Sequence, residues 1–342
     1  MKLRLLACVG ALTLILLAAN VPIAGATKPG PGTSTGTGRV FFPNPVASLQ
    51  NQSLTDQKDA DYAALQPAYH NVTLTNLDGS GYLRGDWVTI VSQTGNRAFS
   101  LSGAFDYNRH QDEFEQVMVY YWITEAQNYI QRLGFGTGLL PAINKEPQRV
   151  RINQWGADNS FFTDKKDELR FGKGGVDDAE DAEVILHEYG HAIQDSQQAP
   201  FGFGFSVEAR SIGEGFSDYW AVTVSSLIAP TPDPTCVADW DSISYTRTVP
   251  HCLRRVDTDL RYPGDLDGRV HHDGMIWSRA LWDIRKAIGA TQADTVILDA
   301  HFGMPDPTMP ELAAKTVTVA VQLYGDGVAN KVKAAFEARG IL

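Results

Sequence analysis

The hydrophobic and polar positions divide the chain into a front part that alternates and a rear part with helical periodicity. Between residues 39 and 108, alternating apolar residues bounded by turn residues predict strands at 70–77, 82–91 and 98–101. An apolar stripe from Gln111 to Leu133 predicts a long helix that packs in the core. Further helices are expected at 183–194, 207–226, 274–288, 290–298, 309–324 and 328–339.

The same pattern predicts an α+β fold with two lobes. Residues 149–153 and 168–171 have strand character, and the segment 159–162 between them is expected at the edge of their mixed sheet. We therefore expect a β-rich N-terminal region at 39–108, an N-terminal lobe at 109–205 and a mainly helical C-terminal lobe at 206–342. The β-rich region is expected to stay attached, with the remnant of a propeptide as the alternative.

The predicted helix Glu183–Gln194 carries an H-E-x-x-H pattern. His187 and His191 are one helical turn apart and lie above one another on a single face. That spacing allows both imidazoles to bind one zinc ion at about 2.0–2.1 Å. Glu188 stands beside the first histidine, where its carboxylate can accept a proton from an attacking water. The alternative is a buried helix that carries two histidines by chance.

A third ligand separates these two interpretations, because hydrolytic zinc sites usually take three protein ligands. A third histidine six residues beyond His191 is excluded, because the chain has Gln197 there. Glu214 supplies a carboxylate from the predicted helix 207–226. Asp218, one turn later on the same face, can accept the free ring N–H of a ligand histidine. Both acids lie among apolar residues, where a carboxylate needs a partner.

These motifs resemble a known group of enzymes. H-E-Y-G-H, followed by E-A-R-S-I-G-E-G-F-S-D at 208–218, is similar to the gluzincin metallopeptidases of the thermolysin and fungalysin families. The block Val270–Trp277 is similar to the V-H-x-x-G-x-x-W segment of fungalysin-like proteins. The resemblance implies a thermolysin-like two-lobed fold and one catalytic zinc. It gives His271, with His272 as the substitute, the role of hydrogen-bonding the oxyanion of the tetrahedral intermediate.

The resemblance also implies where the substrate lies. Asn159 and Ser160 begin a segment similar to the edge strand along which such enzymes bind the substrate backbone. Phe205 stands where thermolysin-like enzymes have a tyrosine that assists the oxyanion, so this chain departs from the pattern there. One arginine should bind the substrate carbonyl, and three candidates stay open: Arg254, Arg255 and Arg261.

The N-terminus indicates secretion. Residues 1–26 have a charged start, an apolar run and a small-residue cleavage site, as in a signal peptide. Residues 27–38 are rich in Gly, Ser, Thr and Pro and are expected to form a flexible leader. Loss of Lys2 and Arg4 with the signal would take the net charge from −11 to −13. That charge argues against nucleic-acid partners, and no stable membrane association is expected.

Two cysteines remain after the signal is removed. Cys236 and Cys252 flank a loop rich in Pro and Asp, and an even pair in a secreted protein predicts one disulfide. The acidic run Asp177–Glu183 leads into the zinc helix, where acids in the first turn favour the helix dipole. Calcium is the alternative explanation for part of that run, because clustered oxygen ligands suit it.

The sequence therefore predicts a secreted, monomeric zinc endopeptidase that acts on protein or peptide substrates. A catalytically silent gluzincin-fold binding protein is the first alternative, and the replacement of tyrosine by Phe205 keeps it open. A zinc aminopeptidase ranks last, because the G-x-M-E-N amine-binding sequence is absent. Side-chain preference is left open.

Overall fold

A computed structural model describes residues 34–198 and 202–342. The signal peptide (1–26) and residues 27–33 of the expected leader lie outside this range. The strands are β1 (Ser34–Phe41), β2 (Tyr69–Leu77), β3 (Val88–Ile90), β4 (Ala104–Phe105), β5 (Gln148–Arg151), β6 (Phe161–Thr163), β7 (Glu168–Arg170), β8 (Cys236–Val237) and β9 (Arg254–Arg255). The helices are α1 (Pro45–Leu49), α2 (Asp112–Arg132), α3 (Ala182–Ser196), α4 (Val207–Ile228), α5 (Val270–Ile288), α6 (Ala290–His301), α7 (Met309–Tyr324) and α8 (Asp326–Ala338).

The expected leader is wrong for residues 34–38, which belong to β1. This strand pairs antiparallel with β2 from Ser34↔Leu77 to Phe41↔Tyr69, and it pairs parallel with β4. Glycine here allows the β1 backbone to lie close to the backbone at Gly103, and it does not indicate a flexible segment. A Cβ at Gly36 would lie 2.4 Å from the Gly103 carbonyl oxygen. Composition alone could not distinguish these two uses of glycine.

A four-stranded sheet carries the expected substrate edge. Its order is β3-β5-β7-β6, with β3, β5 and β7 parallel and β6 antiparallel to β7. The predicted strands at 149–153 and 168–171 are confirmed as β5 and β7. The placement of the segment after Asn159 at the sheet edge is also confirmed, since β6 has a single strand neighbour.

The predicted strand at 98–101 is wrong. Tyr82 and Phe99 form one isolated bridge, and the chain then bends instead of continuing a ladder. Ser100 Oγ accepts a hydrogen bond from the Ala104 backbone N–H at 3.0 Å. Local bonds from serine side chains compete with strand pairing, and the sheet is completed by β4 instead.

Helix α2 is the centre of the N-terminal lobe. The predicted stripe is confirmed, but the helix is buried on nearly all sides, from Phe114 through Trp122 to Ile130. It packs on β1, β2 and β3 on one side and on α3 on the other. Tyr189 of α3 donates a hydrogen bond to Gln127 of α2 at 2.8 Å. The zinc-type motif therefore lies on a helix held from behind.

The C-terminal lobe is helical, as predicted. Helix α5 begins at Val270, four residues before the predicted start, so His271 lies in its first turn. Helix α7 has a capping box, in which Thr308 and Glu311 satisfy each other's backbone N–H groups. Across the described residues the fold is α+β, and none of their helices is long and apolar enough to cross a bilayer.

Two glycines allow α4 to approach its neighbours. A Cβ at Gly190 of α3 would lie 2.7 Å from Ser217 Oγ and 2.9 Å from Ser217 Cα of α4. A Cβ at Gly215 of α4 would lie 2.2 Å from the Gly274 carbonyl oxygen of α5. The three helices that carry the motifs therefore meet backbone to backbone.

We predict that Gly190→Ala separates α3 from α4. Overpacking of a tight contact costs about 1–3 kcal/mol, so the variant should melt at a lower temperature. It should also bind zinc, the metal that the motif predicts, more weakly. Thermal unfolding and metal titration measure both effects.

Gly327→Ala is the matched control. Gly327 also lies in a helix, but nothing lies within 4 Å of its added Cβ. It should leave metal binding unchanged and stabilise the fold by about 0.5–1 kcal/mol, because alanine loses less backbone entropy. Equal destabilisation of both variants would contradict the close-approach argument.

Candidate active site

Helix α3 is fixed at its start before it presents any functional group. Asp181 is the N-cap and accepts the Glu183 backbone N–H at 2.9 Å. Its other oxygen accepts the backbone N–H groups of Trp240 at 3.1 Å and Asp241 at 3.2 Å. Glu183 accepts from Ser225 Oγ of α4 and from the Ala238 backbone N–H, both at 2.7 Å. The helix therefore has a fixed position relative to α4 and the β8 segment.

The structure brings His187, His191 and Glu214 to one point. One ligand atom from each lies within 4.8 Å of the other two. Glu214 Oε2 lies 3.3 Å from His187 Nε2, and Glu214 Oε1 lies 3.7 Å from His191 Nε2. Glu214 Oε2 is nevertheless buried without a hydrogen-bond partner. Two imidazoles and a carboxylate that face one point fit a bound metal ion.

Asp218 holds the first histidine. Its Oδ1 lies 2.8 Å from His187 Nδ1, which leaves Nε2 directed towards Glu214. Arg254 forms two hydrogen bonds with the same carboxylate, from Nε at 2.6 Å and from Nη2 at 2.7 Å. Burial raises the pKa of Asp218, but the guanidinium of Arg254 outweighs it and lowers that pKa to about 2. Asp218 is therefore a permanent anion behind His187.

The pKa values of the two motif histidines are shifted in opposite directions. Burial lowers the pKa of His187, but the carboxylates of Asp218 and Glu214 outweigh it and raise that pKa to about 10. Burial lowers the pKa of His191 to about 4. Burial also raises the pKa of Glu214, but the neighbouring imidazoles outweigh it and hold that pKa well below its ordinary value. Without metal, the group holds one proton on His187.

Glu188 faces the cavity beside this group. Burial raises the pKa of its carboxyl to about 7, against the positive charge of His187. Its Oε2 is buried and has no hydrogen-bond partner. A cavity of about 780 Å³ is lined by Glu188, the three residues of the metal-type group and the β6 segment. A carboxyl that titrates near neutrality is suited to general acid–base catalysis.

His271 reaches the same cavity from α5, and His272 does not. His271 Nε2 lies 3.2 Å from Glu214 Oε2. His272 Nδ1 instead lies 3.2 Å from Asp273 and 3.3 Å from Asp267. Consecutive residues of a helix point in different directions, which separates the two rings. The geometry thus favours His271 over its substitute.

Asn159 and Ser160 line the cavity at the start of the edge strand. The Ser160 hydroxyl donates to Asp178 Oδ2, so this side chain is engaged within the protein. Phe205 is 63% exposed and lines the same cavity, but it has no hydroxyl. Tyr245, which the motifs did not indicate, lines it as well and donates to Asp158 Oδ1 at 2.6 Å.

The structure distinguishes the three arginine candidates. Arg254 lines the cavity, whereas Arg255 pairs with Asp233 and Asp257 at 2.8 Å each. Successive strand residues point to opposite faces, and both arginines belong to β9. Arg261 is exposed outside the cavity. Strand alternation could have separated Arg254 from Arg255 only if β9 had been recognised.

The structure also shows where the two cysteines and the acidic run before α3 lie. Cys236 and Cys252 form the predicted disulfide. The members of the acidic run have different partners: Asp181 caps α3, and Glu180 is buried in an ion pair with Arg109 at 2.7 Å. Asp178 and Glu183 of the run line the cavity.

Comparisons with known proteins identify the fold and the family of this chain. No curated protein matches the chain. A solved structure of similar fold is the precursor of protealysin, a metalloproteinase from Serratia proteamaculans, with a TM-score of 0.54 and 18% identity over 67% of this chain and 79% of that chain. The sequence model of the fungalysin metallopeptidases (M36) matches residues 69–332. The chain is a member of the fungalysin metallopeptidase family.

Proposed function

We propose that the protein is a secreted zinc endopeptidase that hydrolyses peptide bonds with Glu188 as its general base. The observation that supports this most directly is the convergence of His187, His191 and Glu214 from two helices, with Glu188 in the same cavity. The family membership supports a metallopeptidase that acts on proteins or peptides.

The three proposed ligands fit zinc by their chemistry. Two imidazole nitrogens and one carboxylate are a common ligand set for catalytic zinc. When bound, zinc supplies a Lewis acid that polarises a carbonyl and increases the acidity of water. Asp218 is the proposed partner that fixes the His187 ring, because it accepts from Nδ1.

The remaining steps belong to the protein's own side chains. Glu188 accepts a proton from the attacking water through its unpaired Oε2 and then donates it to the leaving amine. His271 donates a hydrogen bond to the developing oxyanion. Arg254 is held at Nε and Nη2 by Asp218, which leaves Nη1 to donate to a substrate carbonyl.

The edge strand β6 supports an extended substrate. Its outer edge has no strand partner within the described residues, and a peptide can pair there through its backbone. Backbone pairing of this kind requires no free substrate terminus, which supports endopeptidase activity. We retain secretion and a monomeric state as parts of this proposal, on the basis of the N-terminal sequence.

Zinc binding should release at least one proton between pH 8 and 9, because His187 must lose its proton to become a ligand. In this range His187, with a pKa of about 10, is protonated, whereas His191 and Glu188, with pKa values of about 4 and 7, have already lost their protons. A metal ligand must be deprotonated, so zinc affinity should fall as the pH is lowered. Calorimetry in buffers with different ionisation enthalpies counts the protons, and release of none would contradict the placement of the proton on His187.

Glu188→Gln should abolish casein cleavage and keep zinc, because Glu188 is not one of the three ligands. Glu214→Gln is the matched control: it removes a ligand carboxylate and should lose both zinc and activity. Zinc content and cleavage are measured for the parent and both variants.

The outcomes of this experiment distinguish an active enzyme, a protein that binds zinc without cleaving substrate, and a wrong site assignment. Zinc in the parent and in Glu188→Gln, with cleavage by the parent alone, supports the proposal. Zinc in both without cleavage in either favours a silent binding protein or a latent precursor. A parent without zinc after growth in zinc-replete medium contradicts the site.

His271→Gln should lower kcat by about 10²–10³, the usual loss for one oxyanion donor. His272→Gln is the matched neighbour and should lower it far less, because its ring faces Asp267 and Asp273. Steady-state kinetics on a blocked peptide compare them. A larger loss in His272→Gln would reverse the assignment.

A further inference from the structure

Three carboxylates that are not part of the zinc-type group converge in the lining of the same cavity. Asp158 precedes the edge segment, Asp178 lies in the turn before α3, and Asp241 lies in the turn after β8. One oxygen from each lies within 4.8 Å of the other two. These residues come from three separate parts of the chain, so no local turn or helix cap accounts for their meeting.

Two of the three carboxylates are buried and incompletely paired. Asp178 and Asp241 are 2% and 3% exposed, and the Oδ1 atom of each has no hydrogen-bond partner. In the described parts of the chain, no Lys, Arg or His side chain forms an ion pair with any of the three; the guanidinium of Arg254 is bound to Asp218. Burying unpaired carboxylates is costly unless they are neutralised or bind a cation.

The raised pKa values of the cluster agree with a site for a cation. Burial and repulsion from Asp158 outweigh the hydrogen bond from Ser160 and raise the pKa of Asp178 to about 8. Burial, together with Asp178 and Asp158, also raises the pKa of Asp241 well above its ordinary value. The carboxyls of Asp178 and Asp241 resist ionisation chiefly because they are buried, and the neighbouring carboxylates add to this effect.

The number of carboxylates favours one ion. Calcium takes about six to eight oxygen ligands, several of them carboxylates, whereas magnesium usually keeps several waters and binds through one or two carboxylates. We propose that Asp158, Asp178 and Asp241 bind a calcium ion.

Such an ion fastens the substrate edge to the body of the lobe. It joins the residue before Asn159 to the turn that leads into α3 and to the β8 segment. Tyr245 supports the same arrangement, since its hydroxyl donates to both the Asp158 carbonyl and carboxylate at 2.6 Å. Calcium binding does not require the proposed proteolysis, so it can be tested separately.

The test is calcium titration of the zinc-loaded protein by calorimetry, with thermal unfolding in parallel. The parent should bind calcium at this site, and Tm should rise by about 3–8 °C at a hundredfold excess over Kd. Asp241→Asn should bind one equivalent fewer, or bind it about 10²-fold more weakly. Without calcium, Asp241→Asn should melt above the parent, because it removes a carboxyl that burial and its neighbours Asp178 and Asp158 make costly to ionise; with calcium the order should reverse.

Asp267→Asn is the matched control, because it removes an acid from the other cluster of Asp and His, which is more exposed. It should bind calcium as the parent does. If Asp241→Asn does not fold, the half-buried Asp158→Asn replaces it. A parent that binds no calcium at millimolar concentration, or equal binding by the parent and the site variants, overturns the proposal. Stronger binding of magnesium than of calcium overturns the choice of ion.

Discussion

The close packing of α4 against α3 and α5 is the constraint on which the active site depends. Glu214 lies on α4, while the two motif histidines lie on α3 and His271 on α5. Side chains of ordinary size at Gly190 and Gly215 would push these helices apart, since their Cβ atoms would meet α4 and α5 backbone well inside contact distance. The distances of 3.2–3.7 Å around Glu214 exist because these backbones touch.

Buried charge is compensated unevenly across the N-terminal lobe. Asp218 is satisfied by His187 and Arg254, and Glu180 by Arg109, so removal of either cation would leave a buried anion unpaired. Asp178 and Asp241 have no comparable partner. Asp218 and Glu180 are therefore neutralised by cationic side chains of the protein itself. Asp178 and Asp241 are not, and a bound cation would neutralise them.

Much of this architecture could be predicted from local sequence. The spacing of His187 and His191 places them on one helix face, and the apolar stripe identifies α2. The periodicity of an α-helix was sufficient to predict both features. Glu214 followed from its apolar surroundings and the motif around it. The segment 34–38 could not be predicted, because the glycine that closes a tight strand contact at Gly36 is compositionally the same as glycine in a linker.

What the sequence left open is fixed by long-range contacts. The selection of Arg254 over Arg255 needs β9, a two-residue strand that exists because it pairs with β8 beside the Cys236–Cys252 disulfide. Once that pairing forms, alternation sends one arginine to the cavity and the other to Asp233 and Asp257. The same β8 segment supplies the Ala238 N–H group to Glu183 at the start of α3. The paired strands β8 and β9, with the residue that follows β8, therefore position the proposed substrate arginine and support the helix that carries the proposed base.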